Sequence, residues 1–233
     1  MEAIILAGGL GTRLGSRLVD RPKAMAPIAG RPFLEILLKR LAQAGCKRVI
    51  LSVGHLRHVI MEAFPVSYAG ISITYVTEES PLGTGGAIKL ALKSATEESV
   101  LVLNGDTYLE ADLSAMLAVH QKRSRSLTMA IARVEDVNRY GEVIVEKDTV
   151  VDFVEKGRSG SGFINGGIYV IERTFSWPAK LHESFSFEMD VLIPSVTSLR
   201  PVAFPCPGYF LDIGIPSDLD RAQVELMFPK LAS

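Results

Sequence analysis

Cysteine is scarce and long apolar runs are missing, and both absences limit what the chain can be. The only two cysteines, Cys46 and Cys206, lie far apart and outside any C-x-x-C pattern. This excludes a disulfide scaffold and a cysteine metal cluster, and it predicts that both thiols are small core residues. No apolar stretch approaches the roughly 18–20 residues that cross a bilayer. The first residues carry no basic segment before Gly8, so we expect no signal peptide and a cytoplasmic protein.

Net charge is almost absent as well. The 233 residues contain 25 Lys and Arg against 26 Asp and Glu, which gives a formal net charge of −1. Such a balance argues against a protein that holds nucleic acid or an anionic membrane through its overall field. Hydrophobic residues make up 48% and charged residues 22%, which excludes intrinsic disorder. We therefore expect a globular protein without nucleic-acid or membrane partners.

The first half of the chain alternates short apolar runs with helical patterns. Four runs, Ala3–Ala7, Val49–Val53, Ile71–Val76 and Val100–Leu103, are mostly apolar throughout, as in strands covered on both faces of a parallel sheet. Between them lie three helical patterns: residues 34–41, with leucine at i, i+3, i+4 and i+7 and a glycine stop at 45, then about 55–64, then about 84–92. The alternation predicts a doubly wound, Rossmann-like α/β sheet.

The second half changes character. Glu142–Val145 and Thr149–Val154 flank Lys147-Asp148 and predict a hairpin, and Phe163–Ile171 predicts a further strand interrupted by glycines. No repeat, low-complexity linker or charge block separates the two halves. We therefore predict one domain over residues 1–233, in which residues 111–233 add an antiparallel lobe to the mainly parallel sheet of residues 1–110.

The first apolar run leads directly into a glycine-rich loop, GGLGTRLG at residues 8–15. In a parallel sheet this loop lies at the carboxyl edge, where glycines let backbone N–H groups approach phosphate oxygens. The loop matches neither the P-loop nor the dinucleotide spacing, so a plain turn with an exposed arginine is an equal alternative. Lys23, which follows Pro22, favours the phosphate interpretation because it could bring a second cation beside Arg13.

Motifs along nearly the whole chain resemble one family. The loop G-G-x-G-T-R-L followed by P-K is similar to the signature of the sugar-1-phosphate nucleotidylyltransferases, also called nucleotide-sugar pyrophosphorylases. Further family-like segments follow in order: 79–86 (ESPLGTGG), 104–106 (NGD), 155–156 (EK), 165–167 (NGG), 187–190 (FEMD) and 210–216 (FLDIGIP). The resemblance implies a GT-A-like nucleotidyltransferase fold with a nucleotide-binding half at 1–110 and a sugar-phosphate-binding half at 111–233.

The resemblance also assigns roles to residues in each half. The nucleotide-binding residues that it implies are Leu6, Ala7, Gly8, Gly9, Gly11, Thr12, Arg13, Lys23, Glu79, Pro81, Gly83, Thr84, Asn104 and Gly105. The sugar-phosphate-binding residues that it implies are Gly141, Glu155, Lys156, Asn165, Gly167, Glu188 and Asp190. The implied catalytic residues are Arg13, Lys23 and Asp106, and the implied Mg²⁺ ligands are Asp106 and Asp212.

The two aspartates also fit a metal site on chemical grounds. Asp106 follows the apolar run Val100–Leu103, so its carboxylate should lie at the same sheet edge as the glycine loop, and Asp212 follows another short apolar stretch. Two carboxylates with phosphate oxygens and waters form the hard-oxygen site that Mg²⁺ prefers. Taken singly, a turn aspartate at 106 and a surface or capping aspartate at 212 are equally open interpretations. The family motifs favour the metal.

The reaction that the resemblance implies needs no general base and no covalent nucleophile. An ionised oxygen of the sugar 1-phosphate attacks the α-phosphorus of a nucleoside triphosphate, and pyrophosphate leaves. Catalysis then consists of alignment and charge neutralisation. We assign Arg13 to the β- and γ-phosphates, Lys23 to the α-phosphate, and Lys156, next to Glu155, to the sugar 1-phosphate.

Details of the motifs indicate the substrates. Residues 78–88 (EESPLGTGGAI) resemble the guanylyl branch of the family. The blocks at 22–28, 31–35 and 185–188 most resemble D-glycero-α-D-manno-heptose 1-phosphate guanylyltransferases, which make GDP-heptose for bacterial surface glycans, although Ala24 stands where we expect proline. The same reaction with UTP and an amino-sugar or muramic acid 1-phosphate, or with GTP and mannose 1-phosphate, is the alternative.

Two other classes of protein are alternatives to a nucleotidylyltransferase. A glycosyltransferase would show Asp-x-Asp where this chain has Asn104-Gly105-Asp106. A non-catalytic, nucleotide-sugar-binding homologue would tend to lose the arginine, lysine or aspartates of the phosphate site, and all of them are present. The expected partners are therefore a nucleoside triphosphate and a sugar 1-phosphate, and both a monomer and a homodimer stay open.

Overall fold

The computed structural model describes residues 1–9, 18 and 20–226. The strands in these residues are β1 (Glu2–Leu6), β2 (Pro27–Ile28), β3 (Arg31–Pro32), β4 (Arg48–Val53), β5 (Ser67–Tyr68), β6 (Ile71–Thr77), β7 (Ser99–Asn104), β8 (Thr107–Leu109), β9 (Leu127–Val134), β10 (Glu142–Glu146), β11 (Thr149–Val154), β12 (Gly162–Glu172), β13 (Val202–Cys206) and β14 (Phe210–Asp212). The α-helices are α1 (Phe33–Gln43), α2 (Arg57–Ala63), α3 (Gly83–Leu92), α4 (Leu113–Arg123), α5 (Ile193–Leu199) and α6 (Pro216–Glu225). A 3₁₀ turn lies at Lys23–Met25 and a π-helical segment at Glu188–Leu192.

Ten strands form one sheet in the order β10-β11-β13-β9-β12-β7-β1-β4-β6-β5. Strands β7, β1, β4 and β6 run parallel, and Leu6 at the end of β1 pairs with Asn104 of β7 and Ser52 of β4. Strand β12 lies antiparallel to both β7 and β9 and so joins the two halves of the chain in one sheet. The predicted mixed, mainly parallel sheet with an antiparallel lobe is confirmed. Within that lobe one pair differs, because β13 runs parallel to β9.

Both faces of the sheet are covered, as its apolar strands require. Along β1, Ala3 and Ile5 pack on the face that α1, α2, α4 and α6 cover, whereas Ile4 packs on the face covered by α3 and α5. Helix α1 forms where the leucine pattern predicts it, and Gly45 with φ +81° follows its end. No helix in the described part of the chain is long and apolar enough to cross a membrane.

A small antiparallel ribbon of β8 and β14 stands apart from the main sheet, and the sequence patterns do not predict it. Its pairing places Asp212 opposite Thr107. The N–H of Ile213 also donates to the carbonyl oxygen of Asp106 at 3.0 Å. The ribbon therefore brings a residue from near the end of the chain to the carboxyl end of β7, where the candidate site lies.

Candidate active site

A cleft of about 370 Å³ opens at the carboxyl edge of the sheet, between β1, β7 and the start of α3. Open α/β sheets bind their ligands at this edge. The cleft is lined by Leu6, Ala7, Gly8, Gly9, Lys23, Ala24, Glu78, Pro81, Gly83, Thr84, Ala87, Asn104, Gly105 and Asp106. It gathers every described residue of the predicted nucleotide-binding set except Glu79. Three further predicted residues, Gly11, Thr12 and Arg13, lie outside the described residues.

Glycines allow close backbone contacts at the ends of the strands that line the cleft. The N–H of Gly105, just after β7, donates to the carbonyl oxygen of Leu6 at 3.0 Å. A Cβ at position 105 would lie 2.3 Å from that oxygen, so any other residue would push the two strands apart. Gly8 is similarly confined, because a Cβ there would lie 2.5 Å from Oε1 of Glu78. The first contact fixes how β1 and β7 end relative to each other, and the second brings Glu78 against the loop that follows β1.

Lys23 reaches the cleft from a 3₁₀ turn that follows the extended residue Pro22. Its side chain is only 15% exposed, and its Nζ lies 2.5 Å from Oδ2 of Asp106 and 3.8 Å from Oδ1 of Asp212. A Cβ on Gly214 would lie 2.6 Å from this ammonium group, so the glycine leaves room for it. The structure thus brings the predicted catalytic lysine and both predicted metal ligands together.

The ribbon of β8 and β14 holds the two aspartates close enough to affect each other. Burial raises the pKa of Asp212 above its ordinary value and the charge of Asp106 raises it further, whereas Lys23 lowers it. The N–H of Gly214 donates to Oδ1 of Asp212 at 2.7 Å. Unfavourable negative charge and hard oxygen ligands fit a divalent cation. Residues 1–9, 18 and 20–226 hold no cluster of three or more His, Cys, Asp or Glu suited to a metal, so such a cation would take its remaining ligands from substrate and water.

Glu78 lines the cleft, and sequence reasoning named its neighbour Glu79 instead. Glu78 accepts hydrogen bonds from the hydroxyl of Ser52 and the N–H of Leu82, both at 3.1 Å. Glu79 is 83% exposed, pairs with Arg57 at 3.6 Å and lines a second, smaller pocket beside the cleft. The signal that could have separated them is the period of two along β6, because residue 78 is in phase with Val76, which packs on the sheet face that α3 covers.

The segment predicted to meet the sugar phosphate follows β11. Glu155 and Lys156 are exposed and are not among the described residues that line the cleft. Gly141 lies against this segment with φ +84°, and a Cβ there would lie 3.0 Å from the carbonyl oxygen of Val154 and 3.8 Å from the nitrogen of Lys156. The glycine therefore permits the close approach of the two chain segments that carry these predicted residues.

The other predicted sugar-phosphate residues lie on β12 and on the π-helical segment. Asn165 accepts from the N–H of Gly167 at 3.0 Å, and a Cβ on Gly167 would lie 3.0 Å from Nδ2 of Asn104 in the cleft. Glu188 accepts from the hydroxyl of Thr84 at 3.0 Å. Asp190 is exposed and accepts from the N–H of Ser186 at 2.7 Å, so the structure gives it a local turn contact.

Known proteins resemble this chain over nearly its whole length. The family model described as nucleotidyl transferase matches residues 2–227. The chain belongs to the nucleotidyl transferase family. It is 44% identical over 226 residues to D-glycero-alpha-D-manno-heptose 1-phosphate guanylyltransferase of Aneurinibacillus thermoaerophilus, which covers 97% of this chain and 98% of the relative. The enzyme of that name from Campylobacter jejuni is 45% identical over 219 residues, 94% of this chain and 96% of the relative.

A solved structure matches the fold of this chain. The crystal structure of HddC from Yersinia pseudotuberculosis complexed with GMP-PN matches with a TM-score of 0.83 and 38% identity, over 97% of this chain and 99% of that one. The predicted family membership is therefore confirmed for this nucleotidyl transferase. The division into halves at residue 110 and the roles of individual residues stay predictions.

Proposed function

We propose that the chain transfers a guanylyl group from GTP to D-glycero-α-D-manno-heptose 1-phosphate, giving GDP-heptose and pyrophosphate. The observation that carries the proposal is the position of Lys23 between Asp106 and Asp212, 2.5 and 3.8 Å from their oxygens, beside the cleft. Such a cluster suits charge neutralisation on phosphates and contains no activated nucleophile. The two heptose 1-phosphate guanylyltransferases at 44% and 45% identity support the choice of substrates.

The chemistry is an in-line displacement at the α-phosphorus. The new bond forms from a phosphate oxygen of the heptose 1-phosphate, and the bond to the β-phosphate oxygen breaks. That attacking oxygen is already ionised at neutral pH, so no proton has to be removed. Lys23 neutralises charge on the α-phosphate, and Arg13 is proposed to hold the departing β- and γ-phosphates. The cleft supplies alignment, which alone accounts for a large part of such rate enhancements.

Asp106 and Asp212 are proposed to hold Mg²⁺. The ion prefers octahedral oxygen ligands and is usually bound by one or two carboxylates together with substrate phosphates. When bound, it neutralises phosphate charge and orients the triphosphate. Burial and the neighbouring Asp106 raise the pKa of Asp212, so a bound cation would offset unfavourable negative charge there. The donor set thus fits the ion.

Glu78 is proposed to select guanine. The N1–H and the exocyclic amino group of guanine are adjacent donors, and a carboxylate can accept from both. Each oxygen of Glu78 already accepts one bond from the protein, from Ser52 and from Leu82, which leaves each of them a free acceptor site. Uracil offers one N–H between two carbonyl oxygens, so one of its acceptors would face the carboxylate. The preference for GTP over UTP follows from this mismatch.

Lys156 is proposed to meet the phosphate of the sugar substrate. It lies next to Glu155 at the end of β11, and both side chains are exposed in the structure. Gly141 packs against this segment. A cation at this position would neutralise the attacking phosphate, which otherwise repels the triphosphate.

Release of pyrophosphate with a matrix of substrates tests the proposal. GTP, ATP, UTP, CTP and dTTP are each combined with heptose, mannose and glucose 1-phosphates in the presence of Mg²⁺. We expect strong release only with GTP and the manno-heptose 1-phosphate, and loss of release with EDTA. Release with another pair, such as GTP and mannose 1-phosphate, would contradict the substrate assignment and retain the reaction. No release with any pair would contradict the proposal.

An ion pair between a lysine and a glutamate elsewhere in the chain supplies a matched control. Lys39 Nζ lies 2.5 Å from Oε1 of Glu35 on α1, the same separation as between Lys23 and Asp106. We expect Lys23→Ala to lower turnover by about 10²–10³-fold, the usual loss for a group that stabilises transition-state charge. Lys39→Ala should leave turnover unchanged. Equal activity in both variants would contradict the proposed role of Lys23.

A further inference from the structure

Two irregular elements lie beside the cleft. In β12, Asn165 pairs with Ile131 of β9 and Tyr169 pairs with Met129, so four steps along β12 face two steps along β9. The second is the π-helical segment Glu188–Leu192, a form that is rare and often found at functional sites. Within the bulge of β12, Nδ2 of Asn165 lies 2.6 Å from the hydroxyl oxygen of Tyr169.

A chain of hydrogen bonds joins the bulge and the π-helical segment to helix α3. Asn165 donates to the hydroxyl of Tyr169 at 2.6 Å, and Tyr169 donates to Oε1 of Glu188 at 3.0 Å. Thr84 at the start of α3 donates to Oε2 of Glu188 at 3.0 Å and accepts from the N–H of Phe187 at 2.8 Å. An ionised carboxylate only accepts, so both hydroxyl protons must point at Glu188. The donor and the acceptor of each of these hydrogen bonds are therefore fixed.

Asn165 is fixed at its other end as well. Its Oδ1 accepts from the N–H of Gly167 at 3.0 Å, and the position of Gly167 against Asn104 brings this end of the chain to the cleft. The buried Oδ1 of Asn104 has no hydrogen-bond partner within the part of the chain that the structure describes. Both amides thus keep hydrogen-bonding capacity beyond the contacts above.

The backbone of α3 is held by the residues that precede Glu188. The carbonyl oxygen of Phe185 accepts from the N–H of Gly85 at 2.9 Å, and the N–H of Phe185 donates to the carbonyl oxygen of Leu82 at 2.9 Å. A Cβ on Gly85 would lie 2.3 Å from the ring of Phe185, so only glycine permits this contact. The start of α3 lines the cleft, and the segment that holds it belongs to the other half of the chain. The start of α3 is therefore tied to the other half of the chain by backbone hydrogen bonds.

We infer that Tyr169 and Glu188 are positioning residues that lock Thr84 on the nucleotide side to Asn165 on the sugar side, so that binding of either substrate tightens binding of the other. The inference rests on the proposed function, which supplies the two ligands. Neither Tyr169 nor Glu188 is among the described residues that line the cleft, so each acts through its neighbour. A ligand that fixes the position of one end of this chain also fixes the position of the other end, so the second ligand meets groups that are already in place.

Tyr169 is the link that can be removed with the least disturbance. Its ring packs edge-on against Phe187 with centroids 5.2 Å apart. Burial and the charge of Glu188 raise the pKa of its phenol well above the ordinary value, so it remains a donor at neutral pH. Tyr169→Phe removes the hydroxyl and keeps the ring. Tyr75→Phe is the matched control, because Tyr75 donates its hydroxyl to the carbonyl of Phe64, within the first half of the chain.

Calorimetric titration measures the coupling directly. D-glycero-α-D-manno-heptose 1-phosphate is titrated into the protein with Mg²⁺, with and without a saturating non-hydrolysable GTP analogue, and the ratio of the two Kd values is the coupling factor. We expect a factor of about five or more for the wild type and for Tyr75→Phe. For Tyr169→Phe we expect a factor below about two. Thr84→Ser keeps the hydroxyl and should retain the wild-type factor, whereas Thr84→Val should lose it.

Each outcome decides the inference. A wild-type factor in Tyr169→Phe, a wild type that binds both ligands without coupling, or a Thr84→Ser variant that matches Thr84→Val would overturn it. Loss of coupling in Tyr75→Phe would overturn it too, since general loosening of the fold would then explain the effect. If Tyr169→Phe fails to fold, the Thr84 pair decides. A wild type that binds neither ligand would overturn the proposed function, and the inference with it.

Discussion

The two halves of the candidate site are held by different interactions. In the half that faces the proposed nucleotide, Asp106 follows the regular parallel strand β7, and a 3₁₀ turn and the ribbon of β8 and β14 bring Lys23 and Asp212 beside it. In the other half, a strand bulge and a π-helical segment are joined through hydroxyl and amide groups, and the one carboxylate among them, Glu188, accepts from three hydroxyls. The first half thus holds unfavourable negative charge that a ligand can neutralise, whereas the hydrogen-bonding groups of the second half already have partners. Variants on each side should therefore fail differently.

The largest effect is expected where the charge is concentrated. Asp106→Asn keeps the shape of the side chain and removes one proposed metal ligand and the partner of Lys23. We expect turnover to fall by about 10²–10³-fold without loss of fold. Asp152→Asn, on the exposed part of β11, is the matched control and should retain full activity. The contrast between the halves would fail if Asp106→Asn unfolded the chain or kept its turnover.

Substitutions at two glycines distinguish damage to the fold from damage to the charge cluster of Lys23, Asp106 and Asp212. A Cβ on Gly214 would meet the ends of two side chains, Lys23 and Asp212, whereas a Cβ on Gly105 would meet the backbone oxygen of Leu6 at 2.3 Å. Gly214→Ala should therefore lower turnover by about 10²-fold, the effect of misplacing a reacting group by about 1 Å. Its melting temperature should change little. Gly105→Ala should instead lower the melting temperature.

Parallel measurement of turnover and thermal melting checks both glycine variants. An activity loss at position 214 that is accompanied by a large drop in melting temperature would mean that the backbone, and not the charge cluster, is disturbed. A Gly105→Ala variant as stable as the wild type would show that β1 and β7 can separate there. Either result would contradict the division between regular scaffold and charged cluster.

The sequence was informative where structure is regular. Uniform apolar runs and the leucine period predicted the parallel strands and α1, and the end of β7 predicted the position of Asp106 at the carboxyl edge. The ribbon that brings Asp212 to that edge depends on pairing between residues about a hundred positions apart, which no local pattern encodes. The bulge at Asn165 and the π-helical turn at Glu188 likewise exist because of the contacts they make.

The choice between Glu78 and Glu79 depends on a local pattern. Both are glutamates in one motif just after β6, and the period of two that continues from the strand distinguishes the one that lines the cleft from its exposed neighbour. Glu78→Gln tests the proposal that Glu78 recognises guanine. We expect the preference for GTP over UTP in kcat/KM to fall by about tenfold to a hundredfold, since a hydrogen bond to a charged group contributes about 1.5–3 kcal/mol.

Glu79→Gln is the matched control for that experiment. Glu79 differs by one position, is 83% exposed and pairs with Arg57 on the surface, so the nucleotide preference should not change. If Glu79→Gln altered the preference and Glu78→Gln did not, the base would lie in the neighbouring smaller pocket, and the assignment of Glu78 would be wrong.

The smallest expected effect concerns stability, and its sign distinguishes the charged half from the satisfied half. Burial and Asp106 raise the pKa of Asp212 in the folded chain. Between the ordinary and the raised pKa, the folded state keeps a proton that the unfolded chain has released, so the free energy of unfolding falls as pH rises through that window. Above it, ionised Asp212 makes the folded state less stable than a neutral side chain of the same shape would.

Asp212→Asn should therefore raise the melting temperature of the metal-free protein at pH 7, by about 1–3 °C, although it removes a proposed metal ligand. The asparagine oxygen can still accept from the N–H of Gly214, so the local turn is kept. Melting curves in EDTA between pH 4 and pH 8 measure the effect, and the gain should vanish at the acid end. Tyr169→Phe, in the satisfied half, should lower the melting temperature at every pH, because it leaves Glu188 without one of its donors. A melting temperature that fell in Asp212→Asn would mean that the attraction of Lys23 outweighs burial, and that the charged half is as well satisfied as the other.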